Sequence, residues 1–276
     1  MRPLLLLWWL AISLANSVPT YAQNSAPLPH STVAKGKNQV ARAWLANPTA
    51  RYQHFVLGDP FEAESLLVEM RGGKILKYDL PNHLVFEDRQ VRLADLDNDG
   101  KDELIVVMSS VLQGAALAVF KADQNLELFA QTPHIGLPFR WLNPAGIADF
   151  NGDGKLEIAL VQKPHLTKRL EFWQMDGANL IRIGTIDGFS NHRNGSRNQK
   201  MSMVFDVDKN GVADLLLPGP DRRTINAVSF SPQLNVVKSW QLPFPVDGNF
   251  VLETANGNDA LKFTLQGGAE HVVNLQ

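Results

Sequence analysis

The sequence predicts an all-β fold, a single β-propeller of four-stranded blades. Three observations predict it. A short acidic segment recurs about every 55 residues, and an apolar run follows each copy. No stretch sustains the 3.6-residue periodicity of a helix.

Residues 93–107, 147–161 and 204–217 align with one another, and their first acids, Asp95, Asp149 and Asp206, stand 54 and 57 residues apart. Two degenerate copies flank them: Leu57-Gly58-Asp59-Pro60 before the apolar residues 64–68, and residues 252–257 before 260–263. Five copies predict five blades, with a sixth left open for a copy too degenerate to see. In the middle copy the apolar run 156–162 is followed by residues 169–174 and the alternating residues 179–184. Asp176-Gly177 lies between the last two as a hairpin turn signal. With the strand that ends at Asp149, each repeat holds four strands.

The ends of the chain read differently. Met1-Arg2-Pro3 precedes an apolar run from Leu4 to Ala15, and Thr20-Tyr21-Ala22 places small residues where a leader peptidase cuts. Residues 1–22 therefore read as a signal peptide. The run of about 12 residues is shorter than the roughly 20 that span a bilayer, so no stable membrane insertion is expected after cleavage. The expected location is the periplasm or the extracellular medium. No cysteine is present, so such a protein relies on a large core or on metal rather than on disulfides. Residues 23–38 read as a flexible lead-in and 39–276 as the propeller, with 39–55 and 270–275 closing the ring between them. Lys and Arg number 26 against 28 Asp and Glu, which gives no basic excess for a nucleic-acid partner. A monomer is expected.

The three acidic loops and the apolar strand after each resemble the FG-GAP or VCBS repeat of the integrin α-subunit propeller and of many exported bacterial proteins. The resemblance is tight over the loops and loose over residues 50–276. It implies a propeller with Ca²⁺ loops between the first and second strands of a blade, and it implies no activity.

The chemistry of the loops agrees. Calcium takes six to eight oxygen ligands, which suits alternating carboxylates around a tight glycine turn. The first loop offers Asp95, Asp97, Asp99, the carbonyl of Lys101, and Glu103. The second offers Asp149, Asn151, Asp153, the carbonyl of Lys155, and Glu157; the third offers Asp206, Asp208, Asn210, the carbonyl of Val212, and Asp214. An EF-hand is excluded, because its twelfth position needs a bidentate Glu and these loops place Val106, Leu160 and Leu217 there. Magnesium prefers to keep its waters. A structural role for up to three ions is expected, and Asp149→Ala is expected to cost more than Asp59→Ala.

If the acidic loops join the first and second strands, ligand recognition belongs on the opposite face. The links between blades would place Glu87 and Arg89, then His134, Arg140, Trp141 and Asn143, then Asn191, His192 and Arg193 there. The loops between second and third strands would add His165 and Arg222. The Arg140-Trp141 pair reads as packing between blades. The first functional reading is a binding or scaffold module for a protein or glycan partner. The alternative is a polysaccharide or phosphoester hydrolase or lyase using His134, His165 or His192 with Arg140 or Arg193. The common nucleophile, phosphate-loop and zinc-protease motifs are absent from the sequence.

Overall fold

Each apolar run that follows an acidic loop becomes the second strand of an antiparallel unit, buried on both faces. The computed structural model describes residues 25–276, so the expected signal peptide lies outside the described residues. The first blade comprises β1 (Ala34–Lys35), β2 (Val40–Thr49), β3 (Glu62–Met70) and β4 (Ile75–Asp79). In the second, β5 (Leu84–Phe86) and β6 (Arg92–Ala94) are two halves of a broken inner strand, followed by β7 (Glu103–Ser110), β8 (Gly114–Ala122) and β9 (Leu126–Gln131). The third is β10 (Leu142–Ala148), β11 (Glu157–Gln162), β12 (Arg169–Asp176) and β13 (Asn179–Asp187). The fourth is β14 (Met203–Phe205), β15 (Asp214–Pro218), β16 (Thr224–Ser229) and β17 (Asn235–Gln241). The fifth has three strands: β18 (Val251–Ala255), β19 (Asn258–Thr264) and β20 (Glu270–Asn274).

Period-two alternation explains how one strand serves two cores. Leu104, Val106 and Met108 of β7 pack toward the first blade, while Ile105 and Val107 pack toward the third. Ile158 and Leu160 of β11 join the second blade, and Ala159 and Val161 join the fourth. Leu215 and Leu217 of β15 face back, and Leu216 faces forward to Phe250, Leu261 and Phe263 of the fifth blade. Outer strands lie at the rim, so β13 and β17 are mostly exposed or half-buried.

Three expectations are corrected. Residues 25–38 are not a free lead-in: Pro27 bridges Ala46, the Leu28 amide donates to the Leu45 carbonyl, and β1 pairs β2. They form the inner edge of the first blade. This moves its register by one strand, so Asp59 is not a degenerate acidic loop but lies in the long loop between β2 and β3. Finally, β20 pairs only β19, so among the described residues neither terminus completes the other's blade. Each builds its own.

Candidate functional site

The acidic loops share one hydrogen-bond plan. Asp95 accepts from the amides of Asp99 and Gly100, and Asp97 from that of Asp99. Asp149 accepts from Asp153 and Gly154, and Asn151 from Asp153; Asp206 accepts from Asn210 and Gly211, and Asp208 from Asn210. The glycines at the turn, Gly100, Gly154 and Gly211, all have φ between +82° and +87°, which a side chain would resist. The closing acids Glu103, Glu157 and Asp214 use one oxygen to accept the amides of Leu96, Phe150 and Val207. Candidate ligand atoms of Asp95, Asp97 and Asp99, of Asp149, Asp153 and Glu157, and of Asp206, Asp208 and Asp214 gather within 4.8 Å of one another. The donors are all oxygen, as a hard cation requires. Asp214 is fully buried, and its Oδ1 has no hydrogen-bond partner, which a cation would satisfy.

The opposite face carries a pocket of about 200 Å³ lined by His54, Phe139, Arg140, Trp141, Lys163, His165, Leu166 and Asn194. It is built from the loop between β2 and β3, the links on either side of the third blade, and the β11–β12 loop. The first of these crosses to the link after β13. The Gly195 amide donates to the Val56 carbonyl, and at Gly58 (φ +76°) a Cβ would meet the Gly195 carbonyl at 2.6 Å. Only glycine allows that approach.

Two histidines present a nitrogen each to this pocket, held from behind. His54 directs Nδ1 at Glu87 Oε1 (2.6 Å), leaving Nε2 for the pocket. Glu87 is wholly buried; its other oxygen accepts from Ser109, and its backbone carbonyl accepts Trp141 Nε1–H. Burial raises the Glu87 pKa, with the His54 and Ser109 bonds opposing. His165 Nε2 lies 3.0 Å from His192 Nδ1, and His192 Nε2 lies 2.9 Å from the Ser196 carbonyl. A carbonyl only accepts, so the tautomers follow: His192 carries its proton on Nε2, His165 donates from Nε2, and His165 Nδ1 is a lone pair. Burial lowers the pKa of His165 to about 4 and of His192 to about 3, with nearby cationic groups adding to it. Both are neutral at pH 7.

Phe139 is the exposed aromatic of the pocket, at 44 %. It sits at φ +54°, and Lys163 beside it at φ +48°, both in the left-handed region that costs a side-chain-bearing residue about 1 kcal/mol or more. Tyr52 holds Phe139 there. Its hydroxyl accepts the Phe139 amide at 2.9 Å, and the rings stack with centroids 5.1 Å apart. Burial keeps the Tyr52 hydroxyl protonated by raising its pKa.

The remaining candidates divide. Trp141 is only 2 % exposed and packs edge-on to His192 with ring centroids 4.7 Å apart, so it is a wall of the pocket rather than a platform. His192 is buried behind His165. His134 is not part of the cluster; its Nδ1 lies 2.7 Å from the Gly114 carbonyl. Arg193 is paired with Asp247, and half-buried Arg222 donates from Nε to the Val246 carbonyl. Glu87 and Arg89 do not stand on an exposed link. They lie in the break between β5 and β6, where Arg89 donates to Glu62 and Asp59. Asn143 and Asn191 are buried and bonded to each other's backbone carbonyls. Sequence reasoning missed His54, Tyr52 and Lys163. The one available signal was a 12-residue stretch between β2 and β3, long for a connection within a blade.

Residues 95–160 match the FG-GAP-like repeat family. No curated protein sequence matches the chain. Among solved structures, a variant of the Aleuria aurantia lectin in complex with Fucα1-6GlcNAc is similar at 10 % identity and a TM-score of 0.44, over 88 % of this chain and 73 % of that one. The same lectin, described as a six-bladed β-propeller, gives 10 % and 0.42 over 88 % and 72 %. The fission yeast SREBP–SCAP binding domains give 10 % and 0.37 over 90 % and 75 %. The number of blades here rests on the strand pairing and packing described above.

Proposed function

We propose that this FG-GAP-repeat β-propeller is an exported, calcium-stabilised binding module that takes an acidic glycan in the pocket opposite its acidic loops. One observation carries the reading: two cationic side chains (Arg140 and Lys163), two histidines (His54 and His165) and the exposed Phe139 ring line a single pocket with no acidic side chain among its lining residues. Arginine and lysine suit a carboxylate or sulfate, an aromatic ring suits the apolar face of a sugar, and the volume suits about one residue of a glycan chain. Export is supported by the N-terminal sequence. Calcium is supported by the all-oxygen loops and the orphan Asp214 oxygen. An array of neutral, uronate-bearing and sulfated glycans, probed with the mature protein, tests it. Acidic glycans should bind selectively, and Arg140→Ala and Phe139→Ala should each weaken binding at least about tenfold without lowering Tm. Equal binding of neutral glycans, or indifference to Arg140→Ala, would refute it.

A second reading is favoured by the His54–Glu87 pair. A buried carboxylate that fixes a histidine tautomer and leaves Nε2 in a cationic pocket is the arrangement of a general base, as a glycan lyase or hydrolase would need. Turnover separates the two readings: a binder leaves acidic glycan intact, whereas an enzyme cleaves it and loses that cleavage in His54→Gln.

A further inference from the structure

The three acidic loops share their backbone bonds but differ in the side chain that faces the closing acid. That side chain comes from the third strand of each blade. In the third blade, register pairs Glu157 with Gln174. One step beyond the Leu104↔Phe120 pair, Lys121 stands across from Glu103; one step beyond Leu215↔Val228, Ser229 stands across from Asp214. Equivalent positions therefore hold lysine, glutamine and serine.

The lysine is inside its loop. Lys121 Nζ lies 2.5 Å from Asp97 Oδ2, 3.6 Å from Glu103 Oε1 and 3.8 Å from Asp99 Oδ2. Its other flank rests on the Phe129 ring, 4.5 Å from the centroid. These are three of the acids a metal would need. In the second loop Gln174 Nε2 touches Asp153 Oδ2 at 2.9 Å and Glu157 Oε1 at 2.8 Å, but an amide is neutral and can turn its oxygen toward a cation. In the third loop Asp214 Oδ1 has no partner.

We propose that the first loop carries its own cation, the Lys121 ammonium, and that calcium binds only at the second and third loops. The inference rests on the calcium reading above and deepens it. A divalent ion held by Asp97, Asp99 and Glu103 would sit within about 5 Å of the ammonium, where like charges repel strongly in partly buried surroundings. To admit the ion, Lys121 must withdraw from all three carboxylates at once. The first loop also has a structural duty that needs no metal. Asp102 accepts the Asn38 amide at 2.8 Å and donates its own amide to Gln39 Oε1 at 2.7 Å, tying the β1–β2 turn to the second blade. An internal cation keeps that joint assembled whatever the calcium level.

Calorimetric titration of chelator-stripped protein with CaCl₂ tests this. Wild type should bind two ions per chain, Lys121→Gln three, and Lys121→Arg two, with the new site within about tenfold of the others in affinity. Asp97→Asn should leave the wild-type count at two, a control that does not depend on the Lys121 variants folding. Three ions in wild type, or two in a folded Lys121→Gln, would overturn the proposal while leaving the calcium reading intact. No calcium bound by wild type or by any variant would remove both.

Discussion

Asp59 is 3 % exposed and is approached by three cationic or basic side chains from three parts of the chain: His30, Arg89 and Arg197. Burial alone would raise its pKa, but the Arg197 bond and the Arg89 charge outweigh it and hold the carboxyl below the usual range. Asp59→Ala leaves Arg89, itself 3 % exposed, short of one of its two carboxylates. Breaking a buried pair in this way costs about 3 kcal/mol. In chelator, urea denaturation should find Asp59→Ala less stable than Asp149→Ala, the reverse of the order expected from the repeat alone. The histidine pair gives a pH dependence. An unfolded histidine titrates near pH 6.5, whereas His165 and His192 titrate at about 4 and 3 in the fold. Between those values the unfolded chain binds protons that the folded chain refuses. Stability is therefore full above about pH 6.5 and falls as pH drops toward 4, by up to about 1.4 kcal/mol per pH unit per histidine. Urea midpoints from pH 7 to 4.5 should show this fall, and a shallower one in His192→Gln.

Among the elements, the acidic loops and the loop between β2 and β3 occupy opposite faces and do different work. Each acidic loop closes on its following strand through one acid oxygen and one backbone amide. An ion adds stability by binding the native state alone, about 3 kcal/mol per site at a hundredfold excess over Kd. Chelation should lower Tm and added calcium should restore it; an identical melting curve in chelator and calcium would refute a stabilising ion. The opposite loop has no such local plan. Its shape depends on Gly58 meeting Gly195, and on Tyr52 holding Phe139. It is a tertiary construction, and for that reason its residues gave no motif.

Across the whole molecule, neighbouring blades share apolar cores from first to fifth in sequence order. Among the described residues, the outward face of the first blade carries the small buried cluster of Trp44, Ala46 and Leu67 beside the Arg42–Glu69 pair, and that of the fifth sets exposed Val251 and Val272 on either side of Lys262, which pairs with Glu253 and Glu270. Removing residues 243–276 would expose Leu216, Ile225 and Ala227 of the fourth blade. A chain so shortened should bind a hydrophobic dye and aggregate at concentrations where the full chain stays monodisperse.

The sequence by itself determined the repeat, the strand that follows each acidic loop, the acidic side chains that gather in those loops, and the face on which a pocket would lie. The loops and strands are local, written in motif and period-two burial within about 15 residues, and the repeat is a matter of spacing alone, 54 and 57 residues between first acids. The acidic loops at Asp95, Asp149 and Asp206 were legible because each closes on itself. Only the tertiary structure decided that Asp59 is a buried anchor, that Glu87 stands behind His54, and that His165 meets His192 while His134 does not. Those pairings join residues 27 to 138 positions apart, and no local rule encodes them. Nor could spacing reveal that Lys121 enters the first acidic loop, since it arrives from a strand whose register is set by packing.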